Sequence, residues 1–197
     1  RWGSNWAILQ RFMNVLGSPN LATHNHLCEQ PRVIGYYHTF GGMPIPDYER
    51  ARSVFLWGYN PVASNLVYDL RRILDAKENG AKLIVIDPRF SKTAAKADIY
   101  VQPRPGTDGA LALGMLNIII KEGLYDREFV ERWTIGFEEL SKMVEEYTPK
   151  RVEAITSVPK STIEKVAKLY ATTKPAVLQE GNGLDQNTNV VQTVRAL

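Results

Sequence analysis

The sequence predicts an α/β protein: a doubly wound, mainly parallel sheet over residues 51–197, preceded over residues 1–50 by the end of a neighbouring α/β domain. Short apolar runs at 53–57, 82–86 and 175–178 suit buried strands. Helical patterns separate them, as in βαβ units around a parallel sheet. The composition permits a sizeable core, with 44% of the 197 residues hydrophobic and 23% charged. Disorder, collagen and membrane architectures fit poorly.

Taken in order, Trp6, Ile8, Leu9, Phe12, Val15 and Leu16 follow helical spacing, and Gly17-Ser18-Pro19-Asn20 breaks it. Residues 21–50 lack clean periodicity and read as a long irregular segment, a type that often carries function. Ser53 to Trp57 is the first strand, ending at Gly58. A helix follows over 65–79, with Leu66, Leu70, Ile73 and Leu74 on one face and Gly80 as its stop. Lys82 to Ile86 is the second strand and 98–101 the third, with a short helical stretch at 93–96 between them. Gly106-Thr107-Asp108 opens an apolar helix over 109–122. Residues 125–147 read as two helices broken near Gly136, and 161–171 as a helix started by a capping box, Ser161 to Glu164. Pro175 to Leu178 is the fourth strand, and a last helix begins near Asn189.

The 24 basic and 21 acidic residues leave a charge of +3, too small to argue for a nucleic-acid partner. A single cysteine, Cys28, excludes an internal disulfide and a Cys-rich zinc site. His24 and His26 precede it, but no fourth ligand is near enough in sequence for tetrahedral zinc. The longest apolar stretches fall short of the ~20 residues of a membrane span. A chain that opens at Arg1 and stops inside a helix is expected to be a piece of a longer polypeptide.

Ligands of open parallel sheets sit outside the carboxyl ends of the strands. Those ends carry Gly58-Tyr59-Asn60-Pro61, Asp87-Pro88-Arg89, Gly106-Thr107-Asp108 and Gly181-Asn182-Gly183. Each combines a polar side chain with a Gly or Pro that shapes a turn. Singly these are turn chemistry, and Asp108 suits a helix start. Together they point to a nucleotide-like ligand, although no G-x-G-x-x-G follows the first strand.

Gly58-Tyr59-Asn60-Pro61, Lys82 to Arg89, Ala97-Asp98, Arg104 to Leu111, Leu124-Tyr125-Asp126, Gly136-Phe137, Tyr147-Thr148-Pro149 and Gly181-Asn182-Gly183 resemble, in this order, the molybdopterin oxidoreductases of the dimethyl sulfoxide reductase family. The resemblance covers nearly the whole chain. It implies a Rossmann-like domain binding molybdopterin guanine dinucleotide over 51–197, with the metal-ligand loop in 1–50. It implies molybdenum or tungsten held by two such dinucleotides, with Cys28 as the protein ligand; a soft thiolate suits that metal. On chemistry alone, a lone Cys is more often a small buried hydrophobe. The resemblance also implies cofactor contacts from Gly58, Asn60, Pro61, Ser64, Asp87, Arg89, Gly106, Asp108, Gly181, Gly183 and Gln186. His26 and Glu29 are the candidate catalytic groups near the metal. His26 alternatively bonds within its loop, and Glu29 is either a proton relay or a surface carboxylate. Glu29 follows the cysteine where many formate dehydrogenases of the family carry His, which counts against formate.

The implied activity is oxygen-atom or hydrogen transfer on a small-molecule substrate, as in thiosulfate, polysulfide or arsenic-oxyanion reductases. A non-redox hydratase and a cofactor-free structural subunit are the alternatives. A [4Fe-4S] cluster is expected outside this chain, which has no C-x-x-C run. An iron–sulfur electron-transfer subunit is the expected partner. By itself the piece is expected to bind the metal cofactor poorly and to be inactive.

Overall fold

The computed structural model describes residues 4–21 and 28–197. Helices α1 (Ser4–Leu16) and α2 (Gln30–Phe40) come first. Then follow β1 (Ser53–Trp57), α3 (Pro61–Ser64), α4 (Asp69–Glu78), β2 (Lys82–Ile86) and β3 (Ile99–Val101). A helical stretch comes next: α5 (Asp108–Lys121), α6 (Arg127–Trp133), α7 (Phe137–Val144), α8 (Pro149–Thr156) and α9 (Lys160–Thr172). Strand β4 (Ala176–Glu180), α10 (Asn182–Asp185) and α11 (Val190–Ala196) complete the order.

The four strands form one parallel sheet in the order β3-β2-β1-β4. From β1 the chain winds to β2 and β3 on one side, then crosses back to place β4 on the other. The order therefore reverses between β1 and β4, where an open α/β sheet leaves a crevice at its carboxyl edge. Register aligns the two ends, pairing Trp57 with Glu180 and, on the other side of β1, with Ile86.

Alternation along the strands builds two cores. Phe55, Trp57, Ile84 and Ile86 pack with Leu111, Met115 and Ile118 of α5, Val152 of α8, and Ile163 and Val166 of α9. Val54, Leu56, Leu83 and Val85 pack with Ile73 and Ala76 of α4, together with Tyr48 and Ala94. Burial of each large apolar side chain stabilises by about 1.5–3 kcal/mol. Both faces of β1 are covered, which is why Val54 to Trp57 read as an unbroken apolar run.

Four local expectations are corrected. Residues 21–50 are not irregular throughout, since α2 occupies 30–40. Pro31 stands in its first turn, and Gly41, at φ +75°, ends it by donating to the Tyr37 carbonyl. Gly35 is its one fully buried residue, so no apolar periodicity marks the helix. The 65–79 helix begins only at Asp69; the Asn65 amide bonds the Asp69 carboxylate at 2.7 Å, and Leu66 is exposed. Helix α8 lies outside the expected elements; Thr148-Pro149 starts it and Ser157, at φ +63°, ends it. The capping box does not form: α9 begins at Lys160 behind Pro159, placing Ser161 inside the helix.

Candidate functional site

The carboxyl ends of β1 and β4 meet through three glycines. Gly181 N–H donates to the Trp57 carbonyl at 3.0 Å, and Gly183 N–H to the Gly58 carbonyl at 3.1 Å. Gly58 takes φ +59° and its N–H bonds the Ile86 carbonyl at 2.8 Å. A Cβ on Gly181 would stand 2.6 Å from the Gly58 carbonyl oxygen, and one on Gly183 2.8 Å from the same atom. The contact between the two strand ends alone therefore requires glycine at 181 and 183.

The turn after β1 is held by its own polar groups. Asn60 Oδ1 accepts from Thr93 Oγ1 at 2.6 Å, and Ser64 Oγ donates to the Asn60 carbonyl at 3.0 Å. Pro61 is buried at the start of α3, and Ser64 is exposed. At the end of β2, Asp87 Oδ1 accepts from Arg89 N–H at 2.8 Å, which shapes that loop and leaves Arg89 exposed. Asp108, buried at the start of α5, accepts from Trp57 Nε1 at 2.8 Å. Burial raises its pKa and the indole bond offsets part of the rise. Gly106 and Asp108 line a small polar cleft with Asn187, Thr188, Asn189 and Thr193. Gln186 is exposed beyond α10.

Cys28 lies beside this edge. It is half-buried, and its Sγ accepts a hydrogen bond from Asn182 Nδ2 at 3.2 Å. The sulfur thus lies against the first residue of α10, just beyond the end of β4. Glu29 is exposed at the start of α2. His24 and His26 lie outside the described residues. Among the described residues no three His, Cys, Asp or Glu side chains converge as a metal site. A thiolate is a soft donor of the kind that molybdenum and tungsten take.

Beneath Cys28 is a buried ionic cluster that sequence reasoning missed. Arg32 Nη1 donates to the Glu180 carbonyl at 3.2 Å and to Glu180 Oε1 at 3.4 Å, while Nη2 donates to Asn182 Oδ1 at 3.2 Å. Its backbone N–H donates to Asp185 Oδ1 at 3.3 Å. Its Nε lies 3.2 Å from Asp185 Oδ2, close enough for ion pairing but out of hydrogen-bond alignment. The Tyr36 hydroxyl donates to Glu180 Oε2. Burial, then the Glu180 charge, raises the Tyr36 pKa, so the phenol stays protonated. Burial pushes Asp185 up to about 6 against the pull of Arg32, with Glu180 and Glu29 adding to the rise. The cost of burying the Asp185 charge thus outweighs the attraction of the one guanidinium it shares with Glu180. The available signal was Glu180 itself, a carboxylate ending a strand where a buried charge requires a partner.

A family model described as molybdopterin oxidoreductase matches residues 3–197. Acetylene hydratase of Syntrophotalea acetylenica is 39% identical over 193 residues, covering 98% of this chain and 26% of that protein. Formate dehydrogenase H of Escherichia coli (strain K12) is 38% identical over 195 residues, covering 96% of this chain and 27% of that protein. The thiosulfate reductase molybdopterin-containing subunit of Salmonella typhimurium is 36% identical over 181 residues, covering 91% of this chain and 24% of that protein. A solved acetylene hydratase from Pelobacter acetylenicus superposes with a TM-score of 0.87 at 39% identity, over 96% of this chain and 26% of that one. The chain spans about a quarter of the length of these curated relatives.

Proposed function

The chain belongs to the molybdopterin oxidoreductase family, and on that premise we propose that it is the central part of a molybdenum or tungsten enzyme in which Cys28 is the protein ligand to the metal. The observation that carries the proposal is the Cys28 sulfur beside Asn182, at the point where the strand order reverses. A pterin-bound metal supplies oxygen-atom or hydrogen transfer, or polarisation of a bound substrate, chemistry that protein side chains do not provide.

This chain's own groups bind and orient. Of the two molybdopterin guanine dinucleotides, we assign one to these strand ends, with Gly58, Asn60, Pro61, Ser64, Asp87, Arg89, Gly106, Asp108, Gly181, Gly183 and Gln186 as cofactor contacts; the rest of the cradle is proposed to come from segments outside this chain. Asp87 and Arg89 supply a carboxylate and a guanidinium for polar donors and phosphate. The tight β1–β4 junction keeps backbone amides at that edge in fixed directions. Glu29, exposed next to Cys28 in sequence, and His26 are proposed to hold or move a proton near the metal. A small oxyanion or sulfur compound is the proposed substrate, with electrons passing through a [4Fe-4S] cluster and an iron–sulfur partner subunit outside this chain. Glu29, standing where many formate dehydrogenases of the family carry histidine, argues away from formate.

A hydratase on the same scaffold is the second reading, favoured by the 39% identity to acetylene hydratase in both sequence and solved structure. Viologen-linked reduction of thiosulfate, polysulfide and arsenate, set against hydration of acetylene without net electron transfer, separates the two. The ligand assignment is tested by Cys28→Ser in the intact protein, with metal analysis and X-ray absorption. The expected result is one fewer sulfur scatterer at the metal and loss of turnover. Unchanged sulfur coordination with wild-type turnover overturns it.

A further inference from the structure

Cys28 stands two residues before α2, and Arg32 in the first turn of that helix ties it to the end of β4 and to α10. The Arg32 backbone N–H is tied to Asp185 at 3.3 Å, and its side chain, 11% exposed, reaches the end of β4. The guanidinium has only donors. Its bond to Asn182 at 3.2 Å must therefore go to the carbonyl end of that amide, which leaves the NH₂ end for the Cys28 sulfur at 3.2 Å. The orientation of Asn182 thus follows from the donor and acceptor inventory. Glu180 and Asp185 in turn fix the guanidinium, and Tyr36 fixes Glu180.

We propose that Arg32 and Asn182 are positioning residues for the Cys28 sulfur: Arg32 orients the Asn182 amide, and that amide donates to the sulfur and tunes the electron density it gives the metal. The inference rests on Cys28 being the ligand. A donor to a metal-bound thiolate withdraws electron density from it and favours the reduced metal, so it raises the metal's potential. A solvent-exposed amide would otherwise rotate among many conformers. Charge-assisted anchoring by a guanidinium restrains it. The surplus carboxylate of the cluster keeps Arg32 in place, since releasing it would leave two buried acids without a cation.

The test uses the intact, metal-loaded protein. Metal content and sulfur coordination come from elemental analysis and X-ray absorption, and the midpoint potential from redox titration followed by electron paramagnetic resonance. Asn182→Ala is the primary variant, because residue 182 is exposed and its truncation opens no buried cavity. The expected result is a shift to lower potential with metal content and sulfur count unchanged. Arg32→Lys keeps a donor to Asn182 but cannot fork between it and Glu180, so an intermediate shift is expected. Adding Arg32→Lys to Asn182→Ala is expected to move the potential no further, since both act through one bond.

A wild-type potential in Asn182→Ala, with Cys28 still bound, overturns the inference. So does a loss of metal or of one sulfur scatterer without a shift in potential, which would mark a structural role only. Cys28→Ser run alongside separates the two readings. If its sulfur count matches wild type, the ligand assignment has failed, and the inference falls with it for that separate reason.

Discussion

Replacing Gly181 by Ala tests how the β1–β4 junction is built. The new Cβ would lie 2.6 Å from the Gly58 carbonyl oxygen, 2.7 Å from Tyr59 Cα and 2.8 Å from Tyr59 Cδ2. Carbon contacts need about 3.3–3.6 Å to oxygen and about 3.5–4.0 Å to carbon. The strand ends must therefore part by about 0.7 Å or more. Two of the three obstructing atoms are backbone, and Gly58 is also held from its far side by the Ile86 carbonyl at 2.8 Å. Parting stretches the Gly181–Trp57 and Gly183–Gly58 bonds, now 3.0 and 3.1 Å. Overpacking costs about 1–3 kcal/mol and each weakened buried bond about 1, so about 3–5 kcal/mol is expected in all. Hydrogen–deuterium exchange of the intact protein reads this directly: the amides of residues 181 and 183 should exchange at least about a hundredfold faster. Gly42→Ala is the control, because nothing lies within 4 Å of its added Cβ. Exchange within about threefold of wild type in Gly181→Ala would refute the reasoning, since the junction would then relax at little cost.

The buried cluster sets a pH dependence. The folded Asp185 pKa of about 6 lies above the ordinary carboxyl value of 3.8, so between these values the folded state holds a proton that the unfolded chain has released. The stability this contributes is fully present below about pH 4 and lost as pH rises through about 6, on the order of 3 kcal/mol in total. Protection of β4 and α10 against exchange, corrected for intrinsic rates, should fall across that window. Asp185→Asn should flatten the slope and protect the region better than wild type at pH 8; an undiminished slope in the variant would assign it to another group. Thr156 is wholly buried, donates to the Val152 carbonyl at 2.7 Å and accepts from Val158 N–H at 3.1 Å. Thr156→Val keeps the shape but leaves that N–H unsatisfied, at a cost of about 1–3 kcal/mol. Urea pulse proteolysis of the intact protein should show the matching loss of resistance, and a wild-type midpoint would contradict it.

The strands were legible because β1 and β2 are covered on both faces, which writes a continuous apolar run into four residues each, Val54 to Trp57 and Leu83 to Ile86. Glycines at the strand ends were legible as turns. Their dominant contact is with each other across β1 and β4, which no local pattern discloses. Helix α2 escaped because it is held by Arg32, Gly35 and Tyr36 rather than by an apolar stripe. Its Pro31 and Gly41 were readable boundary signals. Asp108 reads as a helix start or cofactor contact, and only the folded chain shows its carboxylate bonded to the Trp57 indole.

By itself, the sequence determined an alternating α/β order, a parallel sheet with polar turns at one edge, and a lone cysteine ahead of it. These are consequences of periodicity and turn chemistry, which act over a few residues. Tertiary structure alone decided which charges meet: Arg32 and Glu180 are 148 positions apart, and Asn182 is 154 from the sulfur it touches. Burial makes an unpaired charge costly and so demands a partner, but the identity of that partner is set by the packing of α2 against α10 and α11, next to the end of β4.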